Sequence, residues 1–79
     1  MTRKRYVYIV FEIYEGQKYY QNQYGEWDCD YQKFIREVFG TEKRAKKAIR
    51  EYEKHSDGIK ILDGVEYLHS YMIQKHEIH

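Results

Sequence analysis

The chain has 79 residues, of which 34% are charged, and its mean hydropathy of −0.98 excludes an integral membrane protein. Its net charge of +1 lacks the strongly basic balance that is typical of a dedicated nucleic-acid-binding protein. The length predicts a single domain, residues 1–79, with a thin core, and the one cysteine, Cys29, excludes an internal disulfide. This single thiol and the lack of a targeting pattern favour the reducing cytoplasm.

Tyrosine is unusually common in this sequence, at 10 residues. A phenol hydroxyl needs a polar partner, so tyrosine favours positions with one dry side and one solvated side. We therefore expect a sheet face that carries half-exposed tyrosine rings and serves as a contact surface.

The first predicted element is a β-strand over residues 5–14. Its side chains alternate with a period of two, which places two sets on opposite faces of a sheet. The set predicted to form the core is Val7, Ile9, Phe11 and Ile13. The set predicted to remain half solvated is Tyr6, Tyr8, Val10, Glu12 and Tyr14.

The next segment predicts a hairpin, with a turn at residues 15–17 around Gly16 and a second strand over residues 18–24. Residues 25–30 are predicted to form a polar loop that carries Trp27. Residues 31–39 fit a short helix by their i, i+3, i+4, i+7 spacing. Their β-branched and aromatic content favours a strand over roughly residues 33–39, which is the interpretation we prefer.

The clearest helix signal covers residues 42–54. Thr41 can cap this helix, because its hydroxyl can accept a hydrogen bond from a free backbone N–H group. One side of the helix is apolar at i, i+3, i+4 and i+7 and consists of Ala45, Ala48, Ile49 and Tyr52. Gly58 can adopt the left-handed conformation that ends the element.

The remaining sequence predicts strands. Asp63-Gly64 lies between two short apolar runs, residues 59–62 and 65–68, and this dipeptide is typical of a tight hairpin. Residues 71–78 are predicted to form a last strand. The predicted fold is therefore α+β: an antiparallel β-sheet with one α-helix packed on one face.

In that fold the aliphatic set of the first strand would meet the apolar side of the helix, and the tyrosine side would stay uncovered. The predicted partner-binding surface is this side together with nearby aromatic residues: Tyr6, Tyr8, Tyr14, Tyr20, Tyr24 and Trp27. The segment from Glu26 to Asp30 surrounds Trp27 with acids, and it predicts either an anchor for a basic partner or a polar loop whose indole folds onto the core.

Three segments, YVYIV at residues 6–10, VFGTEKRA at 38–45 and MIQKHEI at 72–78, resemble small uncharacterised bacterial and phage proteins. Those proteins have a β-hairpin, strand, Thr-capped Lys-rich helix, strand layout. The resemblance implies a strand at Val38 and an origin in a phage or mobile element. It implies no functional residues, because these proteins have no assigned activity.

A second candidate surface is the basic side of the predicted helix, which carries Lys43, Lys47, Arg50 and Lys54. Such a stripe can contact phosphates or an acidic partner, although an ordinary solvated helix face gives the same pattern. Nucleic acid is therefore the alternative partner.

Signals of catalysis are lacking in the sequence. The two serines, Ser56 and Ser70, have no identifiable base, and Cys29 has no histidine nearby in sequence that would suggest a metal site. We expect no enzyme activity, cofactor, metal or small-molecule substrate. The predicted function is protein binding through the tyrosine side, as a homodimer or with a foreign protein. The most specific version of this prediction is a phage-encoded inhibitor of a host defence protein, of the anti-CRISPR kind.

Overall fold

The computed structural model describes residues 3–79. Its elements in chain order are β1 (Arg5–Gln21), β2 (Trp27–Phe39), α1 (Glu42–Lys54), β3 (Ile59–Leu62) and β4 (Val65–Ile78). The strands form one sheet in the order β2-β1-β4-β3, and every neighbouring pair is antiparallel. With α1 lying across one face, this is the predicted α+β fold.

The first strand is much longer than predicted, because Gly16 lies within it and not in a turn. A Cβ at Gly16 would lie 3.2 Å from the backbone oxygen of Asp30, so the glycine permits a close approach between β1 and β2. The pairing with β2 also changes register between Glu15 and Tyr19. The predicted turn at residues 15–17 and the separate strand at 18–24 are therefore wrong.

The β1–β2 turn lies at residues 22–26 instead. The side chain of Asn22 accepts hydrogen bonds from the backbone N–H groups of Tyr24 and Glu26, and Gly25 adopts a φ of 78°. Trp27 begins β2, so the predicted loop is shorter than expected. Residues 31–39 form a strand, which confirms the preferred interpretation over the helix.

The helix and the second hairpin confirm the sequence signals. Thr41 accepts a hydrogen bond from the N–H of Arg44 at 3.3 Å, and α1 then runs over the predicted residues. Asp63 and Gly64 have φ values of 50° and 76°, as a tight β3–β4 hairpin requires. The two last predicted strands form one continuous strand, β4.

The prediction of which sheet side meets the helix is wrong. Val10 and Ala45 are fully buried and Tyr14 is 7% exposed, so the core lies on the tyrosine side of β1. The ring of Tyr52 in α1 lies 5.3 Å from that of Tyr71, which is the β4 residue opposite Glu12. Residues that face each other across antiparallel strands point to the same side, so α1 covers the side of Val10, Glu12 and Tyr14.

The opposite side of the sheet is the aliphatic one. We call it the aliphatic face, and it consists of Val7, Ile9, Phe11, Ile13, Ile35, Val38, Ile59, Ile61, Leu68 and Met72. The molecule is a thin slab of 52 × 34 × 14 Å. Within residues 3–79, the one helix is too short and too polar to cross a membrane.

Candidate protein-binding surfaces

The aliphatic face is exposed to solvent along its outer strands. Ile35 in β2 is 63% exposed and Ile61 in β3 is 71% exposed, while the members from the central strand β1 are half-buried among their neighbours. The ammonium of Lys33 lies 4.2 Å from the centre of the Phe11 ring on this side. Contiguous exposed apolar surfaces are where proteins commonly bind partner proteins, ligands or membranes.

A second exposed surface is the distal part of the β1–β2 hairpin. β4 pairs with β1 only as far as Gly16, and beyond that point β1 pairs with β2 alone. We call this two-stranded extension, residues 17–31, the aromatic arm. Five large rings on it are between 46% and 77% exposed: Tyr19, Tyr20, Tyr24, Trp27 and Tyr31.

Acidic side chains accompany the rings of the aromatic arm. Desolvation and the carboxylates of Asp28 and Asp30 raise the pKa of Tyr20. Desolvation and neighbouring carboxylates, Glu15 first, likewise raise the pKa of the Cys29 thiol. The reactive thiolate is therefore disfavoured at Cys29, and the local field of the arm is negative.

The six aromatic residues predicted as one binding surface are divided between two places. Tyr14 is buried against Phe34 and His69, and Tyr6 and Tyr8 are half-buried on the same side of the sheet. The ammonium of Lys75 further covers the ring of Tyr6, at 4.1 Å from its centre. Tyr20, Tyr24 and Trp27 are exposed on the arm, where Tyr19 and Tyr31 join them. Tyr19 and Tyr31 were not predicted as part of the surface, because the β1–β2 turn was predicted at residues 15–17 and not at residues 22–26.

A polar network lies on the helix side of the sheet, centred on the carboxylate of Glu12. The hydroxyl of Tyr14 donates to it, Nε2 of His69 lies 3.1 Å from it, and Nε of Arg36 lies 3.8 Å from it. The Tyr14 and His69 rings stack in parallel with their centres 4.7 Å apart. The network thus joins β1, β2 and β4.

This network shifts the pKa values of two of its members in opposite directions. Burial and the hydrogen bond to Glu12 raise the pKa of Tyr14 to about 12. Burial works to raise the pKa of Glu12 as well, but the hydrogen bonds from Tyr14 and His69 and the charge of Arg36 outweigh it, so the pKa of Glu12 is lowered. Glu12 is therefore a stable anion in the fold at neutral pH.

Ser56 extends the network to the loop after the helix, because its Oγ lies 3.0 Å from Nδ1 of His69. A carboxylate can only accept, so Nε2 of His69 donates to Glu12, and Nδ1 is then free to accept from Ser56. A serine, a histidine and a carboxylate are thus aligned beside a cavity of about 400 Å³. No base near Ser56 could be identified from the sequence, because His69 and Glu12 are distant from it along the chain and only the sheet brings them together.

The arrangement resembles a nucleophilic relay in its order of groups, but its surroundings fit a structural role. The backbone N–H of Ser56 donates to the Glu53 carbonyl, and that of Gly58 donates to Ser56 Oγ. They are therefore not directed at a position where a developing oxyanion would lie. The three side chains connect the α1–β3 loop to the sheet.

The basic side of α1 points away from the sheet. Lys43, Lys47, Arg50 and Lys54 are all exposed, and Ala45 is buried on the opposite side of the helix. Lys54 lies 3.0 Å from the carboxylate of Glu51, which neutralises part of the stripe. This geometry suits a solvated helix face as well as a contact with an anionic partner.

Among residues 3–79, no group of three or more His, Cys, Asp or Glu side chains is placed to hold a metal ion. Comparison with known proteins found no matching family model, no similar curated protein and no similar solved structure.

Proposed function

We propose that the chain is a non-enzymatic protein-binding module and that the aromatic arm is its contact surface for a foreign protein. The observation that carries this proposal is the exposure of five large aromatic side chains on a two-stranded extension of the sheet. Tyrosine and tryptophan are enriched among the residues that dominate binding energy, because they bring a large rigid area at a low entropic cost.

The chemistry of the arm supports a partner with a basic surface. The arm carries three carboxylates, Glu26, Asp28 and Asp30, against one ammonium, Lys18. Charge complementarity steers association and disfavours acidic partners. Proteins that bind nucleic acid present basic surfaces of this kind. Together with the resemblance to phage proteins, this supports an inhibitor of a cytoplasmic host defence protein, of the anti-CRISPR kind.

The arm is tested by removing two of its most exposed rings in a Tyr24→Ser/Trp27→Ser variant. Both side chains are more than 70% exposed, so the fold should tolerate their loss. We expect the wild-type chain, used as bait in a bacterial lysate, to capture a basic protein identified by mass spectrometry. With that protein purified, binding to the double variant should be weaker by about 10-fold or more, as loss of hot-spot rings predicts.

The matched control is a Tyr24→Phe/Trp27→Phe variant, which keeps an aromatic ring at both positions and should retain most of the affinity. An Asp28→Asn/Asp30→Asn variant separately tests the charge, and we expect it to slow association. Equal binding of the captured protein by the wild type and by the double serine variant would remove the arm from the proposal.

The basic side of α1 supports a second candidate function, association with nucleic acid, because its four cations are exposed together. If this function holds, the affinity for a fluorescent oligonucleotide should fall steeply with salt, since each phosphate contact releases a counterion. Lys47→Glu should weaken binding and flatten the salt slope, whereas Lys18→Glu on the arm should change neither. A salt-independent affinity would exclude this candidate.

A further inference from the structure

We propose that the aliphatic face packs against the same face of a second copy of this chain, so that two sheets form a symmetric homodimer. This inference goes beyond the proposed function, which concerns the aromatic arm. It rests on the side of the sheet that α1 does not cover.

The monomer lacks a second layer on this side. A sheet with an apolar face gains stability when another layer buries that face. Within the described chain, α1 supplies such a layer only on the side of Val10 and Tyr14, and the full thickness of the molecule is 14 Å. The hydrophobic residues of the aliphatic face therefore remain in contact with water until another molecule covers them.

The broad side of the molecule is large enough to hold an interface of the size that a stable dimer needs. Stable interfaces bury roughly 800 Å² on each partner. All four strands contribute to the aliphatic face, in a molecule whose two long dimensions are 52 and 34 Å. Two such sheets can pack about 10 Å apart with their strands nearly aligned, as in a β-sandwich.

The composition of the face suits contact with itself. Its central row, contributed by β1, is uniformly apolar from Val7 to Ile13, and the charged Glu15 follows opposite Leu68, just before the arm. Homodimer interfaces are apolar and depleted of charge at their centre. Around a two-fold axis near this row, apolar side chains meet apolar side chains and no like charges are forced together there.

Three charged residues lie around the apolar centre of this face: Lys33 opposite Ile13, Glu15 opposite Leu68 and Glu66 opposite Ile61. Lys33 extends over Phe11, and its long flexible stem can carry the ammonium to the rim while its methylene groups stay in the interface. On β4, Ser70 lies between Leu68 and Met72, and Gln74 and His76 follow Met72 on the same side of the sheet. A second copy therefore meets an apolar centre, and the charged side chains lie around it.

The test is the mass in solution, measured by analytical ultracentrifugation from micromolar to millimolar concentration. We expect the wild-type chain to sediment at twice its monomer mass of 9.8 kDa. Ile35→Glu adds a carboxylate to the face at a position that is 63% exposed, so the monomer should still fold. Burial of that unpaired charge should weaken the dimer by roughly 100-fold.

The matched control is Gln32→Glu, which adds the same charge to the same strand on the opposite side of the sheet, beside Tyr14. It should remain dimeric, and circular dichroism should show the same fold in both variants. Ile61→Glu, on β3, should dissociate the dimer like Ile35→Glu does.

Two outcomes would overturn the proposal: a wild-type chain that stays monomeric throughout the concentration range, or a dimer that survives both face substitutions. The Tyr24→Ser/Trp27→Ser variant of the arm should still dimerise. Loss of foreign-partner binding and loss of the dimer are therefore distinguished by separate variants.

Discussion

At the scale of single residues, Glu12 is the charged group around which the polar contacts of the covered side are arranged. A charged side chain on the covered side of a thin sheet would be costly unless it is paired and hydrogen-bonded. Tyr14 and His69 donate to it and Arg36 lies 3.8 Å away, so its charge is compensated. The same contacts lower the pKa of Glu12.

Because Glu12 stabilises the fold only when it is ionised, protonation of its carboxylate should lower the stability of the wild-type protein in acid. A carboxyl whose pKa is lower in the folded state stabilises the fold above its unfolded pKa of about 4.3, and this contribution is lost as the pH falls through the folded value. We expect Glu12→Gln to reduce the free energy of unfolding near neutral pH. The variant should also lose less further stability than the wild type between about pH 5 and about pH 2.

Urea unfolding followed by circular dichroism at several pH values measures both effects. The control is Glu66→Gln on β4, which removes an exposed carboxylate and should leave the acid dependence nearly as in the wild type. If Glu12→Gln and wild type lost the same stability on acidification, the network would not account for the acid dependence.

At the scale of the elements, local signals predicted the structure well where they are complete within a few residues. The Thr41 cap and the spacing from Ala45 to Tyr52 fix α1, and Asp63-Gly64 fixes the β3–β4 hairpin, since each depends on adjacent backbone and side-chain groups. The prediction of a turn at Gly16 was wrong, because a glycine is required there by the close approach of Asp30 on the neighbouring strand. That contact cannot be read from the residues next to Gly16.

The contact between α1 and the sheet should be sensitive to volume at one position. Ala45 is fully buried, whereas Ala48 on the same apolar side is only half-buried. Ala45→Leu should therefore destabilise the fold by about 1–3 kcal/mol through overpacking. Ala48→Leu, the matched control, should cost clearly less. Chemical denaturation of both variants measures the difference, and equal losses would contradict the packing described here.

At the scale of the whole molecule, the sequence predicted the α+β architecture and the two sides of β1, but not which side α1 covers. A period of two shows which residues share a face, and it gives no information about the layer that packs on it. The covered side holds Glu12 because His69, 57 residues later, donates to its carboxylate. Ser56, 13 residues before His69, in turn bonds the other nitrogen of that ring. Partners so distant in sequence cannot be identified from spacing.

The strand order also makes β2 and β3 the two edge strands of the sheet. On its outer side, each has a row of backbone N–H and C=O groups that pair with no other strand within residues 3–79. β3 has only 4 residues, but β2 has 13, and a long unprotected margin is a template for ordered aggregation. The bulge opposite Val10 and Phe11 interrupts that margin at Arg36 and sets a charge beside it. If the protein ever forms fibrils, their growth should therefore begin on the stretch of β2 before this bulge.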